Sequence, residues 1–313
     1  MSYIIGSKKS SAHYIQNVAP INPSDGQIWY NPSTRLYNVW STQTLGWINL
    51  ATIPPSGLGS KYGYSLGGIN SGTNYLSTVD RITFPFDSGV SSAVGSLSGT
   101  RFYSAGCNSS NYGYSLGGYD GTNYLSTVDR ITFPFDSGVS SAVGSLSGAR
   151  YLSAGCNSSN YGYSLGGYNG TTHISTVDRI TFPFDSGISS AVGSLSGTRY
   201  QSAGCNSSNY GYNLGGINGS TYISTVDRIT FPFDSGVASA VGSLSGPLAY
   251  SAGCNSSNYG YSLGGYDSGT YLSTVSRITF PFDSGVSSAV GSLSGTRSYP
   301  AGVDGTDFVT LFV

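Results

Sequence analysis

Few side chains in this sequence are of kinds that do chemistry, and those few recur at one spacing. An Asp-Arg pair at Asp80-Arg81 returns at Asp129-Arg130, Asp178-Arg179 and Asp227-Arg228, and is broken at Ser276-Arg277. Cysteine stands at Cys107, Cys156, Cys205 and Cys254, and aspartate again at Asp87, Asp136, Asp185, Asp234 and Asp283. The two histidines, His13 and His173, share no register, so no triad or imidazole metal site is assembled.

Each recurrent group has a structural role that fits its spacing. Neighbouring strand residues face opposite ways, so the Asp-Arg pair is expected to contact adjoining strands rather than to form a catalytic pair. Zinc sites want close-spaced cysteine pairs, which one cysteine per repeat does not supply. Equivalent positions on successive repeats point the same way, which disfavours disulfides. One period beyond Cys254 stands Val303, so the cysteine position reads as small, buried and apolar. The recurrent aspartates precede Ser-Gly and read as turn residues; a calcium site would need further carboxylates. No catalytic residue, cofactor or metal is expected, and no pair of acids rises above the repeat as a glycan-cleaving enzyme would require.

The elements that carry these residues follow from the repeat itself. Tyr-Gly-Tyr-Ser-Leu-Gly-Gly begins at Tyr62, Tyr112, Tyr161 and Tyr259, and at Tyr210 with Asn213 in place of serine. A near-copied unit of about fifty residues without helical period is the mark of a propeller blade. In the unit starting at Tyr112, Tyr112, Tyr114 and Leu116 alternate with Gly113, Ser115 and Gly117, a strand with one bulky and one tiny face. A second strand over 126–135 puts Ile131, Phe133 and Phe135 on one face and should end or bulge near Pro134. Asp136-Ser137-Gly138 turns the chain into a short polar outer strand over 140–146. The small residues of 151–156 then suit a crowded axis, making four strands per unit. This order resembles the kelch repeat family over residues 62–313, without that family's usual outer-strand tryptophan.

Two closures of the ring are compatible with the sequence. Tyr299-Pro300-Ala301-Gly302 matches Tyr250-Ser251-Ala252-Gly253, which puts Phe308–Val313 in the Gly-Gly strand slot of a sixth unit. Segment 27–37 resembles a kelch outer half, and Trp47-Ile48-Asn49-Leu50 would be an innermost strand. The expected fold is therefore an all-β propeller of six four-stranded blades, closed by strands from both termini. The alternative is five blades plus an N-terminal β module. On the first reading 1–20 is a docking arm and 21–313 the propeller. Residues 21–61 complete the ring, 62–296 form the tandem repeats, and 297–313 form the closing half-blade.

Composition excludes several classes of partner. Of 313 residues only 9% are charged, against about 25% in typical domains, and the net charge is −1. Nucleic acid and anionic membrane surfaces are therefore poor partners. Twenty-six tyrosines supply apolar area to a Gly/Ser-rich chain. No run of 18 apolar residues suggests a membrane span, and no apolar stretch follows Lys8-Lys9, so no secretory signal is visible. A protein acting outside cells would then leave by host lysis.

Because the chain can be aligned with itself, its divergence can be mapped. Cys-Asn-Ser-Ser-Asn and Phe-Asp-Ser-Gly, expected on one face, are unchanged in every full copy. The loops expected on the other face differ. The long loop carries Tyr75, then Tyr119, Asp120 and Tyr124, then Tyr168, Asn169 and His173, then Asn218 and Tyr222, then Tyr266, Asp267 and Tyr271. The second loop carries Tyr103, Tyr151, Tyr200 and Tyr250. Flat rings cover the apolar face of a pyranose, and amides and carboxylates bond its hydroxyls, so these residues are candidates for glycan binding. Weak sites repeated on one disc add by avidity.

The stretch Asn22-Pro23-Ser24-Asp25-Gly26-Gln27-Ile28-Trp29-Tyr30-Asn31, with 36–40 and 46–50, resembles a segment recurrent in tailed-phage fibre and virion proteins. The resemblance implies a virion-attached adhesion protein. Its expected partners are other virion proteins, reached through the N-terminal arm, host-surface glycan, and further copies of itself on the particle. A structural decoration or fibre-joining role without ligand binding is the alternative.

Overall fold

The computed structural model describes residues 3–5, 13–15, 19, 28–31, 36–41, 46–49, 62–70, 74–300, 302 and 311–312. Two compact units divide the chain, Met1–Leu58 and Gly59–Val313. In the first, the strands Tyr3–Ile5, His13–Ile15, Ile28–Asn31, Leu36–Ser41 and Gly46–Asn49 form one five-stranded sheet in that order. The second and third strands pair in parallel and the others antiparallel.

The second unit is an all-β propeller of five repeated blades. Blade 2 shows the plan. Ala105–Asn108 lies innermost, followed outward by Tyr112–Tyr119, Tyr124–Thr132 and Ser141–Ser145, all antiparallel. The strand pattern follows the side chains. Ile131 and Phe135 are buried while Thr132 and Pro134 are exposed, and the strand stops before the Phe133-Pro134 bond. Blades 3, 4 and 5 repeat the plan from Ala154, Ala203 and Ala252. In blade 4 the hairpin end separates as its own two-stranded piece, Ile217–Asn218 with Thr221–Tyr222.

The blade count is five, the alternative, and not six. The strand holding Trp47 pairs with Leu36–Ser41 in the N-terminal sheet rather than serving as a blade's innermost strand. Of the C-terminal segment placed in a sixth Gly-Gly slot, Leu311–Phe312 is described. It takes the innermost place of blade 1, parallel to Tyr62–Ile69, where the other innermost strands are antiparallel. Residues 303–310 and 313, which belong to the same expectation, lie outside the described residues. Sequence periodicity counts units but does not set the rotation between blades, so it could not choose between the two closures.

The core lies between blades rather than within them. Tyr64, Leu66, Val79 and Val94 of blade 1 pack with Ile131 and Phe135 of blade 2, and the same set recurs at the next three junctions. At each, a buried tyrosine hydroxyl accepts a backbone N–H from the next blade: Phe135 onto Tyr64 (2.9 Å), Phe184 onto Tyr114 (3.0 Å), Phe233 onto Tyr163 and Phe282 onto Tyr212 (both 3.1 Å). Such bonds let a polar tip be buried without a desolvation penalty. The glycine face admits the neighbour: a Cβ on Gly211 would sit 2.6 Å from the Cys156 sulfur. Burial pushes the Cys156 thiol well up, as suits an inert packing residue. These contacts do not recur between blades 5 and 1 among the described residues. Val290 is 43% exposed where Val241 is 8%, and Phe86 is 42% exposed where Phe184 is 8%.

The Asp-Arg pairs divide as expected of adjacent strand residues. Asp129 turns inward to Arg101, on the linker entering its blade. Arg130 turns the other way, stacks on Tyr112 and pairs with Asp185 of the next blade, so the recurrent turn aspartates also tie blades together.

Candidate functional site

The Gly-Gly ending of the second strand exists because the linker crosses it. Gly117 and Gly118 have φ of 66° and 111°, and a Cβ on Gly117 would lie 2.5 Å from the Arg150 carbonyl oxygen. Gly118 N–H instead donates to that oxygen at 2.8 Å. Past the bulge, Tyr119 pairs with Tyr124 across the hairpin end. The linker is strapped to the same end: Phe102 and Tyr119 exchange two backbone hydrogen bonds of 3.0 and 2.9 Å, and Tyr151 with Tyr168 does likewise. Both variable loops therefore share one face. The unchanged turns after Asn108 and Thr132 lie at the opposite ends of the same strands, where Tyr112 pairs with Thr132.

On the variable face the aromatic rings form one connected network. Tyr75 meets Tyr119 edge-on (5.6 Å), Tyr119 meets Tyr124 (5.1 Å), and Tyr124 meets both Tyr151 (5.1 Å) and Tyr168 (5.8 Å). Tyr168 touches His173, whose ring stacks flat on Tyr200 at 4.1 Å. On the other side Tyr266 joins Tyr222, Tyr250 and Tyr271. Tyr103 and Tyr250 both reach Tyr299, which links the two halves. The structure thus brings every predicted tyrosine and His173 together.

The predicted polar residues mostly serve their own loops. Asp120 Oδ1 accepts the N–H groups of Thr122 (2.8 Å) and Asn123 (2.6 Å), and these bonds hold its carboxyl below the usual range. Asn169 Oδ1 makes the same turn with Thr171 and Thr172. Asn218 Oδ1 accepts from Thr198 Oγ1 at 2.9 Å, and its side chain is exposed. Asp267 ends its strand, half-buried, opposite Thr270.

The face carries little charge. Burial, reinforced by neighbouring tyrosines, pushes the Tyr151 phenol up to about 12, and burial raises Tyr119, Tyr200 and Tyr222 as well. The hydroxyls therefore stay protonated at neutral pH, able to donate and accept. Among the described residues no group of three or more His, Cys, Asp or Glu is placed to hold a metal ion. Phe102, Leu152, Gln201 and Tyr299 also belong to this face but were not singled out in the sequence. Their signal was available, since Leu152, Gln201 and Tyr299 share one repeat position with Tyr103 and Tyr250, and Phe102 shares that of Tyr151 and Tyr200.

No protein-family model matches this chain, and no curated protein sequence matches it.

Proposed function

We propose that this chain is a virion-associated adhesion protein of a tailed phage, binding host-surface glycan through the variable face of its propeller. The connected aromatic network on the face where the copies diverge supports the reading. Uncharged phenols, tilted and edge-on, offer apolar ring faces with hydroxyls at their edges, which suits neutral polyhydroxylated ligands. Binding without chemistry is the action. Residues 1–20 dock on other virion proteins, and several copies on one particle multiply weak contacts by avidity. The protein is made in the host cytoplasm and carried on the virion; the segment from Asn22 to Leu50 that resembles phage fibre proteins supports that placement.

The test is binding of the intact protein to an array of bacterial surface polysaccharides. Tyr119→Ala, Tyr168→Ala and Tyr266→Ala together should abolish the wild-type signal while leaving particle assembly unchanged. Absence of wild-type binding to any array member would sink the reading.

One observation favours the structural alternative. On the face of the unchanged turns, Val90, Val139, Ile188, Val237 and Val286 are all exposed at the same place in the five blades. A regular apolar rim suits packing on another virion protein.

A further inference from the structure

At the propeller axis, Tyr103, Leu152, Gln201, Tyr250 and Tyr299 all have left-handed backbones, with φ between 56° and 59°. That conformation costs a non-glycine residue about 1–2 kcal/mol. The chain uses glycine at its other recurrent left-handed positions, Gly117 and Gly118 among them, but keeps large side chains at these five. Their backbones are joined in sequence: Leu152 N–H donates to the Tyr103 carbonyl (2.9 Å), Gln201 to Leu152 (2.8 Å), Tyr250 to Gln201 (2.9 Å) and Tyr299 to Tyr250 (2.8 Å).

These five side chains line a cavity of about 270 Å³, with the serine that follows each of the first four also in its wall. The wall is not symmetric. Tyr299 stacks on Tyr103 at 5.1 Å and meets Tyr250 at 4.5 Å, giving an aromatic side. Gln201 supplies an amide. Its Oε1 is buried and accepts no hydrogen bond, and the neighbouring Ser202 Oγ is likewise without a partner. In blades 2 and 3 the equivalent serines are paired, Ser115 with Ser104 (2.8 Å) and Ser164 with Ser153 (3.2 Å). In blade 4 Asn213 replaces that serine and both ends of its buried amide also lack partners; in blade 5 the equivalent Ser251 and Ser262 hydroxyls are unpaired as well. Unpaired polar groups are costly and call for a partner. Among the described residues no charged side chain lines the cavity.

We infer that this axial cavity seats a single neutral pyranose unit of the glycan, its apolar face on the Tyr103–Tyr250–Tyr299 wall and a hydroxyl or acetamido N–H donated to the Gln201 amide. The inference rests on the glycan reading and adds a defined seat to it. Five copies of one backbone position, carrying Tyr, Leu, Gln, Tyr and Tyr, make an asymmetric site from a symmetric scaffold.

Saturation-transfer NMR with the methyl glycosides of glucose, galactose, mannose and N-acetylglucosamine tests it on the full chain. At least one glycoside should bind wild type, and Gln201→Leu should weaken it about tenfold, equivalent to one lost hydrogen bond of about 1.4 kcal/mol. Leucine already occupies this place at Leu152, so the variant should unfold at the wild-type temperature, which a thermal melt checks. Ile188→Ser, on the other face, should leave binding unchanged. Wild-type affinity in Gln201→Leu, or polysaccharide binding on the array with no monosaccharide binding, overturns the axial seat while the glycan reading stands. Silence in both assays removes the glycan reading itself.

Discussion

Arg101 Nη2 lies 2.9 Å from Asp129 Oδ1, and the two side chains are 1% and 0% exposed. The carboxylate is fully engaged: Ser98 N–H and Ser140 Oγ donate to Oδ2, each at 2.6 Å, and Ser98 Oγ donates to Oδ1 at 2.7 Å. The pair recurs as Arg150–Asp178 and Arg199–Asp227. In blade 5 both partners are gone at once, with Leu248 and Ser276 in their places. There Ser245 N–H keeps only the bond to Ser287 Oγ (3.0 Å), the counterpart of Ser98 N–H to Ser140 Oγ (2.9 Å) in blade 2. A buried ion pair can be replaced whole at little cost, whereas removing one member strands a charge.

Asp178→Ser should therefore destabilise the protein by about 3–5 kcal/mol, because the Arg150 guanidinium stays buried without its counter-charge. Arg150→Leu with Asp178→Ser copies blade 5 and should recover most of that loss. Denaturant unfolding of the two variants checks it, and a double variant no more stable than the single one would contradict the argument.

Close approach at the axis makes a second, sharper contrast. A Cβ on Gly204 would sit 2.0 Å from the Gly155 carbonyl oxygen, a backbone atom that cannot yield alone. Gly204→Ala should cost at least about 3 kcal/mol or prevent soluble expression. Gly148 has ordinary φ and nothing within 4 Å of its would-be Cβ, so Gly148→Ala should stay within about 0.5 kcal/mol of wild type. Thermal melts of both proteins decide it.

The blade was legible because period-2 alternation and Gly-Gly mark strands wherever both faces are covered, as Tyr114 and Leu116 show. The convergence of the rings was legible too, since the two loops differ between copies in the same register. Buried arginine was not. Arg101 looks like a loop residue, and its partner stands 28 positions later with no local pattern to link them; only the joint change to Leu248 and Ser276 carried the signal. Nor could the loop amides be told from ligand donors, because an Asx turn such as that of Asp120 uses the same residue types.

The junction between blades 5 and 1 can be probed by one substitution at equivalent places. Phe184 is 8% exposed and Phe86 42%. Phe184→Ala should cost about 3–5 kcal/mol and Phe86→Ala less than about 1 kcal/mol. Equal losses in denaturant unfolding would mean that Phe86 is covered in solution as Phe184 is.

His173 stands where the other repeats have Tyr75, Tyr124, Tyr222 and Tyr271, and its ring lies parallel to Tyr200 at 4.1 Å. Burial lowers its pKa below the usual 6.5, because desolvation penalises the imidazolium. The unfolded chain then binds the proton more readily than the folded one. Stability from this group is fully present above about pH 6.5 and is lost as pH falls through the lower folded value. Between pH 7.5 and 5.5 the unfolding temperature of wild type should therefore drop further than that of His173→Tyr, which restores the repeat's own residue and keeps His13 as an internal control. Parallel curves for the two proteins would show that the imidazole titrates alike folded and unfolded.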